Sequence, residues 1–100
     1  MLNTKHAHFK LQGVDLLQLV EEYDSPLYIY DTSWIKKRYE ELNEAFKQVN
    51  TSFKYACKAL TNPNILRYIH SLGAGLDTVS IQEVQLGLAA GFQPEQIIYT

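Results

Sequence analysis

The feature that most constrains the fold is a regular alternation of short strand-like runs and amphipathic helical stretches. Strand-like runs occur at LYIY (27–30), SFKYAC (52–57), GLDTV (75–79) and EQIIYT (95–100). The clearest helical spacing, with intervals of three and four residues, is that of Ile35, Tyr39, Leu42, Phe46 and Val49. This alternation predicts an α/β fold in which helices cover a sheet of parallel strands.

Capping and turn residues predict where the helices begin and end. Residues that favour helix N-termini precede three of the helical stretches: Asp31, Asn62 and Ser80. Pro63 suits the first helical position after its cap, and Glu83 completes a capping box. Glycines that suit C-terminal caps follow two of the helices: Gly73 and Gly91. A further helix is expected over 14–23, ending at a turn of Asp24, Ser25 and Pro26.

Composition excludes several classes of protein. The net charge of −2, without a basic stripe, does not suggest a nucleic-acid partner. No apolar run approaches the roughly 20 residues of a membrane helix, and the first residues do not resemble a signal peptide. A single cysteine excludes an internal disulfide. We therefore expect a cytoplasmic protein that neither enters a membrane nor binds nucleic acid.

Lys58 is the residue whose position first suggests chemistry. Alternation along 52–57 predicts bulky side chains on one face, and Lys54, the small Ala56 and Lys58 on the other. The carboxyl end of a parallel strand is where α/β folds bind ligands, so a flat ring would have room over Ala56. A neutral lysine amine attacks carbonyl carbons to form a Schiff base. The alternative, on spacing alone, is a solvated lysine that closes a strand.

Other reactive side chains have structural explanations. Cys57 beside Lys58 is either a redox thiol or a packed apolar side chain, and its alternation with Phe53 favours packing. His6 and His8 lie two apart but lack further ligands, so we expect no metal site. His70, late in a helix, suits the helix dipole.

Four motifs in a fixed order carry a family resemblance. They are SPLYIYD (25–31), YACKA (55–59), GAGLDTVS (73–80) and AAGFQPEQIIYT (89–100). Together they resemble the amino-terminal part of the diaminopimelate decarboxylase family, in the alanine-racemase-like, fold-type III class of pyridoxal phosphate enzymes. The resemblance implies the first part of a (β/α)8 TIM-type barrel, incomplete as a barrel. Residues 1–24 would form a lead-in with a short helix, and residues 25–100 an opening strand and helix followed by three parallel barrel strands.

The resemblance also implies an activity and a site. Members are carbon–carbon lyases that decarboxylate meso-diaminopimelate to lysine, the last step of lysine biosynthesis, and they work as homodimers. Lys58 would carry pyridoxal 5'-phosphate, while Ala56 and Asp77 would line the cofactor site. Ser80 and Glu83 match the family too, but the capping box explains both. We expect the isolated chain to hold the cofactor lysine without turning over a small amino-acid substrate.

The chain departs from the family pattern at two places. Leu60 stands where relatives usually have asparagine, and Ile81 with Gln82 where they tend to have two glycines. Alternatives of the same class are decarboxylases of carboxynorspermidine, arginine or ornithine. An alternative of another class is a small non-catalytic α/β domain, receiver-like or flavodoxin-like, in which Lys58 meets a partner protein.

Overall fold

The structure is a computed structural model that describes residues 9–100, and the chain forms two compact units that divide after Ile35. In the first unit, β1 (Lys10–Leu11) pairs antiparallel with β2 (Val14–Asp15). Helix α1 (Leu16–Tyr23) follows at once. The Asp15 carboxylate accepts a hydrogen bond from the Leu17 amide at 2.9 Å, which caps α1. The predicted helix over 14–23 therefore begins at residue 16, because the first two residues pair as β2.

Residues 27–30 do not form the strand that was predicted for LYIY. Tyr28 is 85% exposed, and no strand in the described part of the chain pairs with this segment. A β-strand needs a hydrogen-bonded neighbour, which local composition cannot supply. Residues 27–30 have the apolar pattern of a strand, but residues 9–100 contain no strand that pairs with them.

Helix α2 (Thr32–Ala45) begins at its predicted cap. The Asp31 carboxylate accepts hydrogen bonds from the Ser33 amide at 3.0 Å and the Ser33 hydroxyl at 2.6 Å. The Ser33 hydroxyl is the main reason why the pKa of Asp31 is lowered. The helix ends four residues before the predicted Val49, and the ring of Phe46 beyond it packs edge-on against Phe53 at 5.7 Å.

The second unit contains the parallel sheet. It consists of β3 (Lys54–Ala56), β4 (Gly75–Thr78) and β5 (Ile97–Tyr99) in that spatial order. Helix α3 (Pro63–Leu72) connects β3 to β4, and α4 (Ile81–Ala90) connects β4 to β5. The predicted α/β fold with three parallel strands is confirmed. No helix within residues 9–100 is long and apolar enough to cross a membrane.

One face of this sheet packs against the helices. Leu76 and Thr78 of β4 are fully buried there, as is Leu66 of α3. Gly87 of α4 lies so close to the sheet that an added Cβ would come within 2.5 Å of Leu76 Cδ2. Because neighbouring residues of a strand point to opposite faces, the other residues of β4 lie on the face away from the helices.

The helix caps agree with the sequence predictions. The Asn62 side chain accepts a hydrogen bond from the Asn64 amide at 2.9 Å, and Pro63 opens α3. Gly73 and Gly91 end α3 and α4 with φ of 102° and 108°, in the left-handed region that glycine adopts without strain. These caps fix where each connection turns back towards the sheet.

Candidate functional site

Lys58 lies at the carboxyl edge of the sheet, in a turn rather than in a strand. Strand β3 ends at Ala56, one residue before the end of the predicted strand 52–57 and two residues before Lys58. The 3₁₀ turn Cys57–Ala59 follows. The Leu60 amide closes this turn by donating to the Cys57 carbonyl at 3.1 Å. Strand alternation therefore ends before Lys58, and the turn sets the direction of its side chain. Lys58 is exposed to solvent.

Ala56 and Asp77 are brought together on the face away from the helices. They are directly paired in the register of β3 and β4, and Asp77 is paired in turn with Ile98 of β5. Lys58 stands two residues beyond Ala56, at the same edge of the sheet. Ala56 and Asp77 thus lie on neighbouring strands, and Lys58 lies in the turn that follows the first of them.

Thr100 is a neighbour of the site that the sequence did not indicate. Its hydroxyl donates a hydrogen bond to Asp77 Oδ1 at 2.5 Å, and its amide donates to the Thr78 carbonyl at 2.8 Å. The two side chains are 23 residues apart in sequence. Only the register of β4 and β5 could have revealed the pair, since Thr100 lies two residues after Ile98 and shares its face.

Lys54 lies deeper on the same face, one layer below Ala56. A Cβ added at Gly75 would lie 2.9 Å from Lys54 Nζ and 2.7 Å from the Gln96 carbonyl oxygen. The absence of a side chain at position 75 is therefore what leaves space for the lysine stem. The alternation pattern placed Lys54 on this face, but it did not indicate its contact with β4.

Cys57 is a packed side chain rather than a reactive thiol. It is fully buried, and burial raises the pKa of its thiol, with the nearby negative charge of Glu83 acting in the same direction. The thiolate is the nucleophilic form, so both effects reduce reactivity. The packing interpretation made from the sequence is confirmed.

We expect Cys57 to resist modification in the folded protein. At pH 8, a thiol-specific disulfide reagent should react at least about tenfold more slowly with the native protein than with the protein in denaturant, because the thiol is both shielded and protonated. Absorbance of the released thiol chromophore measures both rates. Equal rates in the two conditions would contradict the buried position of Cys57.

Ser80 and Glu83 form the capping arrangement at the start of α4. The Ser80 hydroxyl accepts from the Glu83 amide at 3.1 Å. Glu83 Oε1 accepts from the amide of Val79 at 3.0 Å, one residue before the cap itself. The capping interpretation of the serine and glutamate is confirmed, with that shift of one residue.

Replacing Ser80 by alanine should lower the free energy of unfolding by about 1 kcal/mol, because the Glu83 amide loses its acceptor. Denaturant titration followed by circular dichroism measures the change. Ser71→Ala is the matched control, since the exposed Ser71 hydroxyl only donates back to the Tyr68 carbonyl within α3. A Ser80→Ala protein as stable as that control would contradict the cap.

The histidines give no metal site in the part that is described. Within residues 9–100, no group of three or more His, Cys, Asp or Glu side chains could hold a metal ion. The His70 ring lies 4.8 Å from the Phe92 ring, and its buried Nδ1 has no hydrogen-bond partner. His6 and His8 lie outside the described residues.

The arrangement suits a flat ligand that carries a carbonyl group. It supplies an exposed primary amine at the strand edge, a small side chain beside it, and a carboxylate already engaged by a hydroxyl. An amine can bond to a carbonyl carbon, and a carboxylate can accept from a protonated ring or balance a positive charge. No phosphate-binding glycine loop follows β3 or β4 within the described residues.

Comparison with known proteins identifies the family. Residues 32–100 match the family described as "Pyridoxal-dependent decarboxylase, pyridoxal binding domain". The chain is 40% identical over 96 residues to diaminopimelate decarboxylase of Methanothermobacter thermautotrophicus, covering 94% of this chain and 22% of that protein. It is 39% identical over 98 residues to the Aquifex aeolicus protein of the same name, covering 98% of this chain and 23% of that protein. The chain therefore spans less than a quarter of the length of these relatives.

Solved structures give the same result for the fold. A crystal structure of diaminopimelate decarboxylase from M. jannaschii superposes with a TM-score of 0.91 at 30% identity, covering 99% of this chain and 24% of that one. A second structure of that protein, with the same scores, is a complex with L-lysine. The three parallel strands and their helices are thus the arrangement found in these decarboxylases.

Proposed function

We propose that this chain, which belongs to the family of pyridoxal-dependent decarboxylases, supplies the cofactor-binding lysine of an enzyme that decarboxylates meso-diaminopimelate to lysine. The observation that carries the proposal is the position of Lys58, an exposed amine at the carboxyl edge of a parallel sheet, two residues beyond the Ala56–Asp77 pair. The similarity to decarboxylases over nearly all of the chain supports the same assignment.

Three side chains would hold pyridoxal 5'-phosphate. Lys58 Nζ would bond to the aldehyde carbon, with loss of water. The small side chain of Ala56 would leave room for the ring, and the Asp77 carboxylate would line the same face of the sheet. The exposure of Lys58 and the pairing of Ala56 with Asp77 support this assignment.

Pyridoxal phosphate, when bound, supplies the electron sink for the carbanion left by loss of carbon dioxide. Lys58 has two tasks in that cycle. It would hold the cofactor, and its Nζ would be placed to carry a proton to the product. Asp77 would contribute a carboxylate at the carboxyl end of β4, the end at which parallel barrels bind their ligands.

The proposal also covers the division of the chain, the cellular compartment and the oligomeric state of the enzyme. We assign residues 1–24 to a lead-in and residues 25–100 to the opening of the barrel, and we propose that the enzyme is a cytoplasmic homodimer. The diaminopimelate assignment rests on relatives of that name, which match at 32–40% identity. Loss of one carboxylate from diaminopimelate yields lysine, the compound bound in one of the similar structures.

Substrate comparison tests the proposed function. The full gene product, supplied with pyridoxal phosphate, should release carbon dioxide from meso-diaminopimelate and form lysine at a rate well above its rate with arginine, ornithine or carboxynorspermidine. Amino-acid chromatography and trapped carbon dioxide measure both products. Preferred turnover of ornithine or arginine would overturn the substrate assignment, and turnover of none would overturn the enzyme assignment.

A further inference from the structure

Two threonines join the ends of β4 and β5 through three hydrogen bonds. The fully buried Thr78 donates its hydroxyl to the Ile98 carbonyl at 2.8 Å. In return, the Thr100 amide donates to the Thr78 carbonyl at 2.8 Å. The third bond runs from the Thr100 hydroxyl to Asp77 Oδ1 at 2.5 Å. The backbone of Thr100 is therefore fixed to the same strand that presents Asp77.

The third bond is of a kind that orients a carboxylate. A hydroxyl that donates to an ionised carboxylate makes one of the short, charge-assisted bonds, with typical distances of about 2.5–2.7 Å. Asp77 lies on the face away from the helices, since Leu76 and Thr78 beside it are fully buried against them. With Oδ1 engaged, the side chain is restricted in rotation.

We infer that Thr100 is a positioning residue, which acts through Asp77 to orient the carboxylate that lines the cofactor face. This inference rests on the proposed function of Lys58 and Ala56 as parts of a pyridoxal phosphate site. Restricting Asp77 before the cofactor arrives removes a loss of rotational freedom from the binding step. Thr100 itself, with its hydroxyl directed to Asp77, touches the cofactor only through that carboxylate.

Two substitutions separate the hydroxyl from the shape of the side chain. Thr100→Val removes the donor and keeps the branched shape, whereas Thr100→Ser keeps the donor. Tyr99→Phe is the matched control, because it removes a hydroxyl from the neighbouring exposed residue of β5. Circular dichroism of each full gene product verifies that the sheet still forms.

The first measurement needs no cofactor. Selective labelling with ¹³C at aspartate Cγ reports the surroundings of the Asp77 carboxylate. Thr100→Val should shift that resonance, while the spectra of Thr100→Ser and Tyr99→Phe should resemble that of the wild type. An unchanged Asp77 resonance in Thr100→Val would overturn the inference without reference to cofactor binding.

The second measurement is pyridoxal phosphate affinity, followed by the absorbance of the lysine-bound cofactor. Thr100→Val should weaken binding about three- to tenfold, the effect of losing a bond to a charged group near solvent. In an Asp77→Ala background, the same substitution should change affinity less than about twofold, because the residue through which it acts is gone.

The outcomes distinguish this inference from the proposed function. Equal affinities of Thr100→Val and the wild type, or an undiminished effect in the Asp77→Ala background, would overturn the positioning role alone. A wild-type protein that forms no adduct at Lys58 would overturn the proposed function, and the positioning role with it.

Discussion

Replacing Lys58 by alanine is expected to lower the decarboxylation rate of the gene product at least about a thousandfold. The amine is the only group at the strand edge in residues 9–100 that can bond to the aldehyde and then carry the proton, and each role is worth orders of magnitude in rate. Carbon dioxide release from meso-diaminopimelate, at saturating pyridoxal phosphate, measures the loss. The absorbance of the lysine-bound cofactor should disappear in the same variant.

Two further variants test whether the loss of decarboxylation rate comes from the missing amine. Lys58→Arg keeps a positive charge without a usable nucleophile, so it should be as inactive as the alanine variant. Lys36→Ala removes an exposed lysine of α2 that pairs with Glu40 at 3.8 Å, and it should retain wild-type activity. A Lys58→Ala protein with more than about a tenth of the wild-type rate would contradict the assigned role.

Truncating Leu66 to alanine is expected to cost about 2–5 kcal/mol of the free energy of unfolding. Leu66 is fully buried on the inner face of α3, so the missing atoms leave a cavity in the core. Against a typical total of about 5–15 kcal/mol, this loss is a large fraction of the stability. Denaturant titration followed by circular dichroism gives the value.

Leu88 in α4 provides the matched comparison. It is also a leucine of a ten-residue helix, but its side chain is 46% exposed. Leu88→Ala should cost less than about 1 kcal/mol, because nearly half of the side chain already faces solvent and its removal leaves no enclosed cavity. Similar losses in the two variants would show that α3 does not pack over the sheet as described.

The sequence predicted those parts of the fold that local signals determine. The Asn62 and Ser80 caps and the left-handed glycine after α3 each depend on a few adjacent residues, and all were found where expected. The LYIY prediction failed because pairing is not a local property. Residues 27–30 have strand-forming side chains, but no strand in the described part of the chain pairs with them.

Strand alternation predicted that Lys54 and Ala56 share a face of the sheet, but it did not predict the contacts between strands. The alternation along SFKYAC predicted that the strand continues through Cys57. A buried cysteine is compatible with a strand or with a turn, so the sequence did not show that a turn begins there. The 3₁₀ turn became visible only in the structure. The Thr100–Asp77 bond joins residues 23 apart, so it depends on a strand register that no local pattern encodes.

The proposal that Lys58 carries pyridoxal phosphate is tested most directly by finding which amine of the protein bonds to the cofactor. The full gene product is incubated with the cofactor, reduced with borohydride, digested and mapped by mass spectrometry. We predict a reduced pyridoxyl group on Lys58, and none on Lys54 or Lys36. A modification centred on any other lysine, or an unmodified Lys58 in a folded protein, would show that Lys58 does not hold the cofactor.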